Sequence, residues 1–311
     1  MTRLAIVCMW LGPLPAHLGL WLASCARNPG IDWWLVTDQP IARALPANVH
    51  VLPQTLAGLR QVFAREVVFN VCLDRPYKLC DFRPIWHVLI PAIERYDWWG
   101  WCDLDLVFGR LEPFVAAHAD RYDRLLSEGH LALFRRAPEL LDLYRAAPMW
   151  RSAFTSPGVF GFDEHDGINR AWLASGRPLL FDGVRVADIQ PEFGQFRTLP
   201  RYPNSRTQAF AWRDGRVFRE YRTGGATQAQ EYLYVHFQKR AMPVRVADDA
   251  RDYFIGPAGF TPHPGRDPTR RELIAANPPT RPTPATIRSH LRDWRRRRCG
   301  DDPFRRVDRP R

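Results

Sequence analysis

The run Tyr96-Asp97-Trp98-Trp99-Gly100-Trp101-Cys102-Asp103-Leu104-Asp105-Leu106-Val107-Phe108-Gly109 constrains the fold more than any other part of this chain. It is short, aromatic and aliphatic, and its apolar residues do not alternate with polar ones. Such a run reads as a strand buried on both faces. A strand of that kind needs covering layers, which points to an α/β sheet flanked by helices. Yet it carries Asp103 and Asp105 near its end. Burying a carboxylate costs several kcal/mol unless it is paired or bound to a metal. Two of them, at alternate positions and so on one face of a strand, call for a cation.

The surrounding pattern agrees with a layered α/β fold. Residues 4–10 form an apolar run closed by Gly12-Pro13, and residues 17–26 have helical spacing and stop at Asn28-Pro29-Gly30. Residues 32–38 and 49–52 read as further strands, and 56–69 as a helix. This is the opening rhythm of a mostly parallel sheet. Ile85, Val88, Leu89, Ala92 and Ile93 recur at threes and fours, predicting a helix over 83–96 with Pro84 in its first turn. Residues 129–134 and 231–237 read as strands, with a polar loop at 156–167 around Phe162-Asp163-Glu164. No internal repeat is visible. Past residue 261 the composition turns to Pro and Arg, with nine of the 28 prolines. The pattern therefore predicts one domain over 1–261 and a basic tail over 262–311.

Charge and composition exclude several classes. At 46% hydrophobic the chain can build a core, and no apolar stretch approaches the ~18 residues of a membrane span. The net charge of +11 is uneven: residues 262–311 hold 14 Arg against 6 acidic residues, and the first 261 hold 30 basic against 27 acidic. A nucleic-acid reader carries its charge on the folded surface, so no nucleic-acid partner is expected. Six Cys occur without a C-x-x-C pair, as in a reducing compartment. Gly12, Pro13, Pro15 and His17 interrupt what would otherwise resemble an export signal, so a cytoplasmic location is expected. Only two of the 44 basic residues are Lys. Lys78 and Lys239 are thus sites where a compact ammonium is preferred to a guanidinium.

A strand-end D-x-D suits a divalent cation bridging a diphosphate, with Mg²⁺ or Mn²⁺ held by one or two carboxylates. The block Pro76-Tyr77-Lys78-Leu79-Cys80-Asp81-Phe82-Arg83-Pro84, followed by the 96–109 run, resembles bacterial glycosyltransferases of the GT-A fold that act in polysaccharide biosynthesis. Shorter blocks at 129–135, 162–164 and 234–240 extend the resemblance over residues 3–245. It implies a Rossmann-like, mostly parallel sheet in a single catalytic domain. The implied reaction moves a sugar from a nucleoside-diphosphate sugar to a hydroxyl of a glycan or lipid-linked acceptor, as in building cell-envelope polysaccharide.

The same resemblance implies roles for particular residues. Tyr77, Lys78, Asp81, Arg83, Asp103 and Lys239 would contact the donor nucleotide. Asp105 would hold Mn²⁺ or Mg²⁺ directly, Asp103 would reach the ribose or a metal-bound water, and His236 would complete the metal site. The cation and a Lys would offset charge on the departing diphosphate. An inverting transfer needs a carboxylate to take the acceptor's proton, and Asp163 or Glu164 is the candidate. His130 would lie by the acceptor, and Met9 and Trp10, at a strand end where parallel sheets bind ligands, would flank the base.

Two other readings remain open: a carbohydrate-binding protein without catalysis, which has no need of a nucleotide, and a nucleotidyltransferase using the same carboxylates. The latter would lack a second acidic cluster for a second metal. In the tail, Thr283-Pro284 reads as a helix start. Ile287, Leu291 and Trp294 follow at fours and threes among Arg288, Arg292 and Arg295 to Arg298. A short amphipathic helix over 284–298 would suit an anionic membrane surface and a peripheral, inner-face location; a solvated Arg-rich end is the other reading.

Overall fold

The computed structural model describes residues 2–164, 166–180, 186–189, 194–198, 204–238 and 240–280, with 284, 287, 288 and 291 beyond them. The chain forms two compact units, Met1–Leu104 with Arg110–Phe181, and Asp105–Gly109 with Asp182–Arg311.

The first unit begins with β1 (Leu4–Trp10), α1 (Leu18–Ala26), β2 (Ile31–Thr37), β3 (Val49–Pro53) and α2 (Leu56–Val67). A 3-10 segment, Pro76–Leu89, leads to β4 (Trp98–Cys102). After lending the three-residue β5 (Leu106–Phe108) to the second unit, the chain supplies α3 (Leu111–His118), β6 (Arg124–Glu128), β7 (Leu131–Arg135) and α4 (Pro138–Leu141). It then adds α5 (Trp150–Thr155), α6 (Ile168–Ser175) and β8 (Leu179–Leu180). Seven strands lie in the order β3-β2-β1-β4-β7-β6-β8. The β3-β2-β1-β4 half is parallel and β7 runs antiparallel to β4. This is the mixed, parallel-rich α/β sheet flanked by helices that the pattern predicts. From β1 the chain winds out to β2 and β3, then crosses to β4 on the other side. The winding therefore reverses between β1 and β4, and in open α/β sheets the carboxyl ends at such a reversal are where ligands bind.

Every residue of β4 is buried. Its tryptophans join an aromatic core: Phe134 lies 5.4 Å from Trp99 and 4.8 Å from Trp101, and Phe82 stacks between Phe63 (5.3 Å) and Phe154 (4.7 Å). Gly100 is required by close packing, since a Cβ there would stand 2.3 Å from the Ala132 carbonyl oxygen on β7.

The second unit holds β9 (Ala187–Asp188), β10 (Gln208–Arg213), β11 (Arg216–Thr223), β12 (Ala226–Tyr232), β13 (Tyr234–His236), β14 (Asp252–Gly256), β15 (Gly259–Pro262) and α7 (Arg270–Ala276). Five strands form an antiparallel sheet, β12-β11-β10-β14-β15, and a second sheet has the order β5-β13-β9.

Four expectations need correction. The 96–109 run is two strands, not one. β4 bonds to β1 and β7, whereas β5 runs antiparallel to β13, and the chain bends at Leu104 and Asp105 between them. Strand alternation therefore does not set the directions of Asp103 and Asp105. The helix expected over 83–96 is the 3-10 segment 76–89 plus a turn at Ile93–Arg95, with Pro84 mid-segment rather than in the first turn. Proline cannot donate to the preceding turn of an α-helix; the segment ends at extended Ile90, and Ala92 at φ 51° separates it from the turn. The 231–237 run breaks at Leu233, because its halves pair in different sheets. The region assigned to the tail includes α7, capped by Thr269 and Glu272 and buried through Leu273 and Ala276. Apart from Pro284, Ile287, Arg288 and Leu291, the helix expected over 284–298 lies outside the described residues.

Candidate functional site

In the first unit, the candidate residues gather at the tip of the β6–β7 hairpin. The tip is Gly129-His130, and three of its backbone groups hold partners here. Gly129 N–H donates to Glu164 Oε1 at 3.1 Å, and its carbonyl accepts from Trp101 Nε1 at 2.8 Å and from Arg83. The His130 carbonyl accepts from the Asp103 amide at 2.9 Å. Arg83 is the hub. From the 3-10 segment it donates Nη1 to Asp163 and to the Gly129 carbonyl, and Nη2 to Asp103. The Arg83 pairs with Asp103 and Asp163 span 20 and 80 positions of chain.

The electrostatics of this cluster follow from its burial. Burial works against the Arg83 charge, but Asp103 and Asp163 outweigh it and hold the guanidinium well above its usual range. Burial pushes the Asp163 carboxyl up to about 7; Arg83 opposes that, and Glu164 and Asp103 reinforce it. A carboxyl with that midpoint can exchange a proton near neutrality. His130 is buried at the hairpin tip.

Lys78 and Asp81, expected at the donor nucleotide, are wholly buried and face each other. Lys78 Nζ donates to Asp81 Oδ2 at 2.7 Å, to the Ala153 carbonyl at 2.5 Å and to the Gly158 carbonyl. An ammonium has three N–H donors, so none is left for a diphosphate. Tyr77, the preceding residue, is 59% exposed. At the carboxyl end of β1, Trp10 Nε1 donates to the Pro13 carbonyl at 2.9 Å, and the Gly12 amide donates to Asp38 Oδ1 at 2.8 Å. Met9 is buried. A hollow of about 380 Å³ opens nearby, lined by Thr37, Asp38, Gln39, Leu45 and Pro53 among others, at the carboxyl ends of β2 and β3.

In the second unit, Asp105 precedes β5, and its carbonyl accepts from the Phe237 amide at 3.1 Å. Its side chain is 5% exposed and faces His236 of β13, Oδ1 to Nε2 at 3.4 Å. The other imidazole nitrogen, Nδ1, lies 2.8 Å from Asp188 Oδ1 on β9, which also accepts from Gln238 Nε2 at 2.8 Å. Burial disfavours the imidazolium, but Asp105 and Asp188 together overcome it and push His236 up to about 10.

This arrangement fits a divalent cation. An oxygen and a nitrogen 3.4 Å apart are spaced as two ligands of one ion, each at ~2.1 Å. An ion would take the place of the Nε2 proton that faces Asp105, while Nδ1–H stays with Asp188, and a carboxylate behind a metal-binding His is the usual way to fix its tautomer. Asp188 and Gln238 escaped the sequence reading. The segment Val186-Ala187-Asp188-Ile189 carries no motif, and only pairing with β13 brings it to His236. His17 was missed too: its Nε2 lies 3.2 Å from the carbonyl of Leu104, the middle residue of the D-x-D. Lys239 lies outside the described residues.

The model of a family of unknown function, DUF6625, matches residues 6–264, and the chain belongs to that family. No curated protein matches the sequence. Among solved structures, the chain is similar to the galactosyltransferase LgtC in complex with donor and acceptor sugar analogues, with 11% identity and a TM-score of 0.39. That match covers 60% of this chain and 76% of the other. It is also similar to mouse xyloside xylosyltransferase 1 in its apo form, with 12% identity and a TM-score of 0.39, covering 60% of this chain and 87% of that one.

Proposed function

We propose that this member of the DUF6625 family is a metal-dependent glycosyltransferase that moves a sugar from a nucleoside-diphosphate sugar to a hydroxyl of a glycan or lipid-linked acceptor. The observation that carries the reading is the Asp105–His236–Asp188 relay, in which a D-x-D carboxylate faces an imidazole oriented by a second carboxylate. Asp105 and His236 would hold the ion, and the imidazole favours Mn²⁺ over the oxygen-seeking Mg²⁺. The bound ion would offset charge on the diphosphate leaving group. Asp103 lies two residues earlier on the chain and would reach the ribose or a water on the ion.

In the first unit, the carboxyl ends of β1 and β4 would take the nucleotide, with Trp10 beside the base. Tyr77 and Lys239 complete the proposed donor contacts; Lys78 and Asp81 point inward and take no ligand in this reading. Asp163 would accept the acceptor's proton at Oδ2 or its neighbouring oxygen, because burial brings its midpoint near neutrality. The Arg83 contact would keep that carboxylate in place while it does so. Glu164, tied to the Gly129 amide, would orient the hairpin tip, and His130 would stand by the acceptor.

Isothermal titration with UDP, GDP and CDP, each with and without Mn²⁺, tests the reading. One diphosphate should bind only with Mn²⁺, and Asp105→Ala should abolish that binding. Metal-independent binding, or none to any of the three, would overturn it.

A further inference from the structure

Two stitches join the 3-10 segment 76–89 to the loop that follows α5. One is the Arg83–Asp163 pair. The other is deeper: Lys78 and Asp81, each 0% exposed, grip the loop through its backbone. Lys78 holds the Ala153 carbonyl, in α5 itself, and the Gly158 carbonyl in the loop. The Asp81 carboxylate accepts from the Phe160 amide, at 3.1 Å to either oxygen, and from the Phe162 amide at 2.9 Å. The Phe160 ring covers the ammonium, with its centroid 5.1 Å from Nζ. Carbonyls, amides and ring thus all converge on one ion pair, and the next residue along the chain is Asp163.

A buried ion pair is a poor way to add stability, because desolvation consumes most of the attraction. Its strength is geometric. The lysine's three donors and the carboxylate's acceptors allow one arrangement of residues 158–162, whereas an apolar contact would tolerate many.

We propose that Lys78 and Asp81 are positioning residues, a latch that holds residues 158–162 against the 3-10 segment and thereby fixes where the Asp163 carboxylate stands beside Arg83. The role given to Asp163 rests on the glycosyltransferase reading; the latch itself rests on the hydrogen bonds. Neither residue touches the acceptor or donor, so their effect on chemistry passes through Asp163.

The test uses the full chain and Lys78→Met/Asp81→Leu, a double variant that removes both ions together with the bonds they make and leaves no unpaired buried charge, its fold checked by circular dichroism. Amide hydrogen exchange reads the latch, and carbon NMR of labelled aspartate, assigned with Asp163→Asn, reads the Asp163 titration. In the variant, the Phe160 and Phe162 amides should exchange about tenfold faster or more. The Asp163 midpoint should fall toward the ordinary carboxylate range as water reaches it.

Freed amides with an unchanged Asp163 titration would reduce the pair to a structural role and overturn the proposal. Unprotected Phe160 and Phe162 amides in the native chain would overturn it without any variant. Native-chain titration with UDP, GDP and CDP in Mn²⁺ separates the two readings. If none binds while the Asp163 shift occurs, the transferase reading fails and the latch stands.

Discussion

Gly129→Ala isolates the crowding at the hairpin tip. Gly129 is not at positive φ, so alanine meets no backbone penalty there, and it should gain ~0.4–1 kcal/mol by restricting the unfolded chain. The side-chain clash acts the other way. The new Cβ would stand 2.3 Å from Glu164 Oε1, 2.7 Å from Glu164 Cγ and 2.8 Å from Asp163 Oδ2. Glu164 has to swing out and give up its bond from the Gly129 amide, a hydrogen bond to a charged group worth ~1.5–3 kcal/mol. If Asp163 stays with Arg83, the net loss is therefore about 1–2 kcal/mol. If Asp163 also leaves, breaking a buried pair adds ~3–5 kcal/mol. Urea unfolding of a double-mutant cycle with Glu164→Ala decides the cause. Removing the Glu164 side chain should recover about 1 kcal/mol or more of the Gly129→Ala cost, because the obstructing atoms are gone. An equal cost in both backgrounds, or a Gly129→Ala chain as stable as the native one, would refute the crowding argument.

Other substitutions test other parts of the physics. Gly100→Ala drives a Cβ into the Ala132 carbonyl, which belongs to a paired strand and cannot rotate away. It should cost about 3 kcal/mol or more in urea unfolding, or prevent folding. Val68 caps α2 at φ 62° while 87% exposed; Val68→Gly removes left-handed strain from a β-branched residue and should raise stability by about 1 kcal/mol. For His236, the folded-state midpoint of about 10 exceeds the ordinary 6.5. Its stabilising contribution is therefore complete below about pH 6.5 and lost as pH rises toward 10. Asp188→Asn removes one supporting carboxylate, so urea midpoints measured from pH 6 to 10 should fall less steeply than in the native chain.

The fold was legible wherever burial imposes a pattern. Residues 4–10 became a strand as read, because a strand inside a parallel sheet leaves an uninterrupted apolar run. The same rule misled at residues 96–109. Trp98–Cys102 and Leu106–Phe108 are both wholly buried, so the apolar run continues while the pairing partners change, from β1 and β7 to β13. Hydropathy reports burial and is blind to which strand is the neighbour. Leu233 marks a second break of this kind. Pro84 was placed at a helix start by a rule for α-helices, whereas the 3-10 segment accommodates it in the middle.

The site shows a related limit. Asp103 stood out because a carboxylate at the end of a buried run needs a partner, whereas Arg83 and Asp163 entered through the resemblance, and their ion pairs show only in the fold. Asp105 stood out by the same argument and His236 through the resemblance; that the two face each other shows in the pairing of β5 with β13. Asp188 was not legible, since its importance comes from pairing between β9 and β13 across 48 residues, with no local signal. Lys78 and Asp81 stood out for a sound reason and with the wrong consequence. The rarity of lysine drew attention to an ammonium's compact, three-donor geometry. But that geometry satisfies two backbone carbonyls and a carboxylate as well as it would a diphosphate. Residue type alone does not distinguish an internal partner from a ligand. The distinction lies in burial: a group with no exposed surface and every donor used can act on a substrate only by holding something else in place.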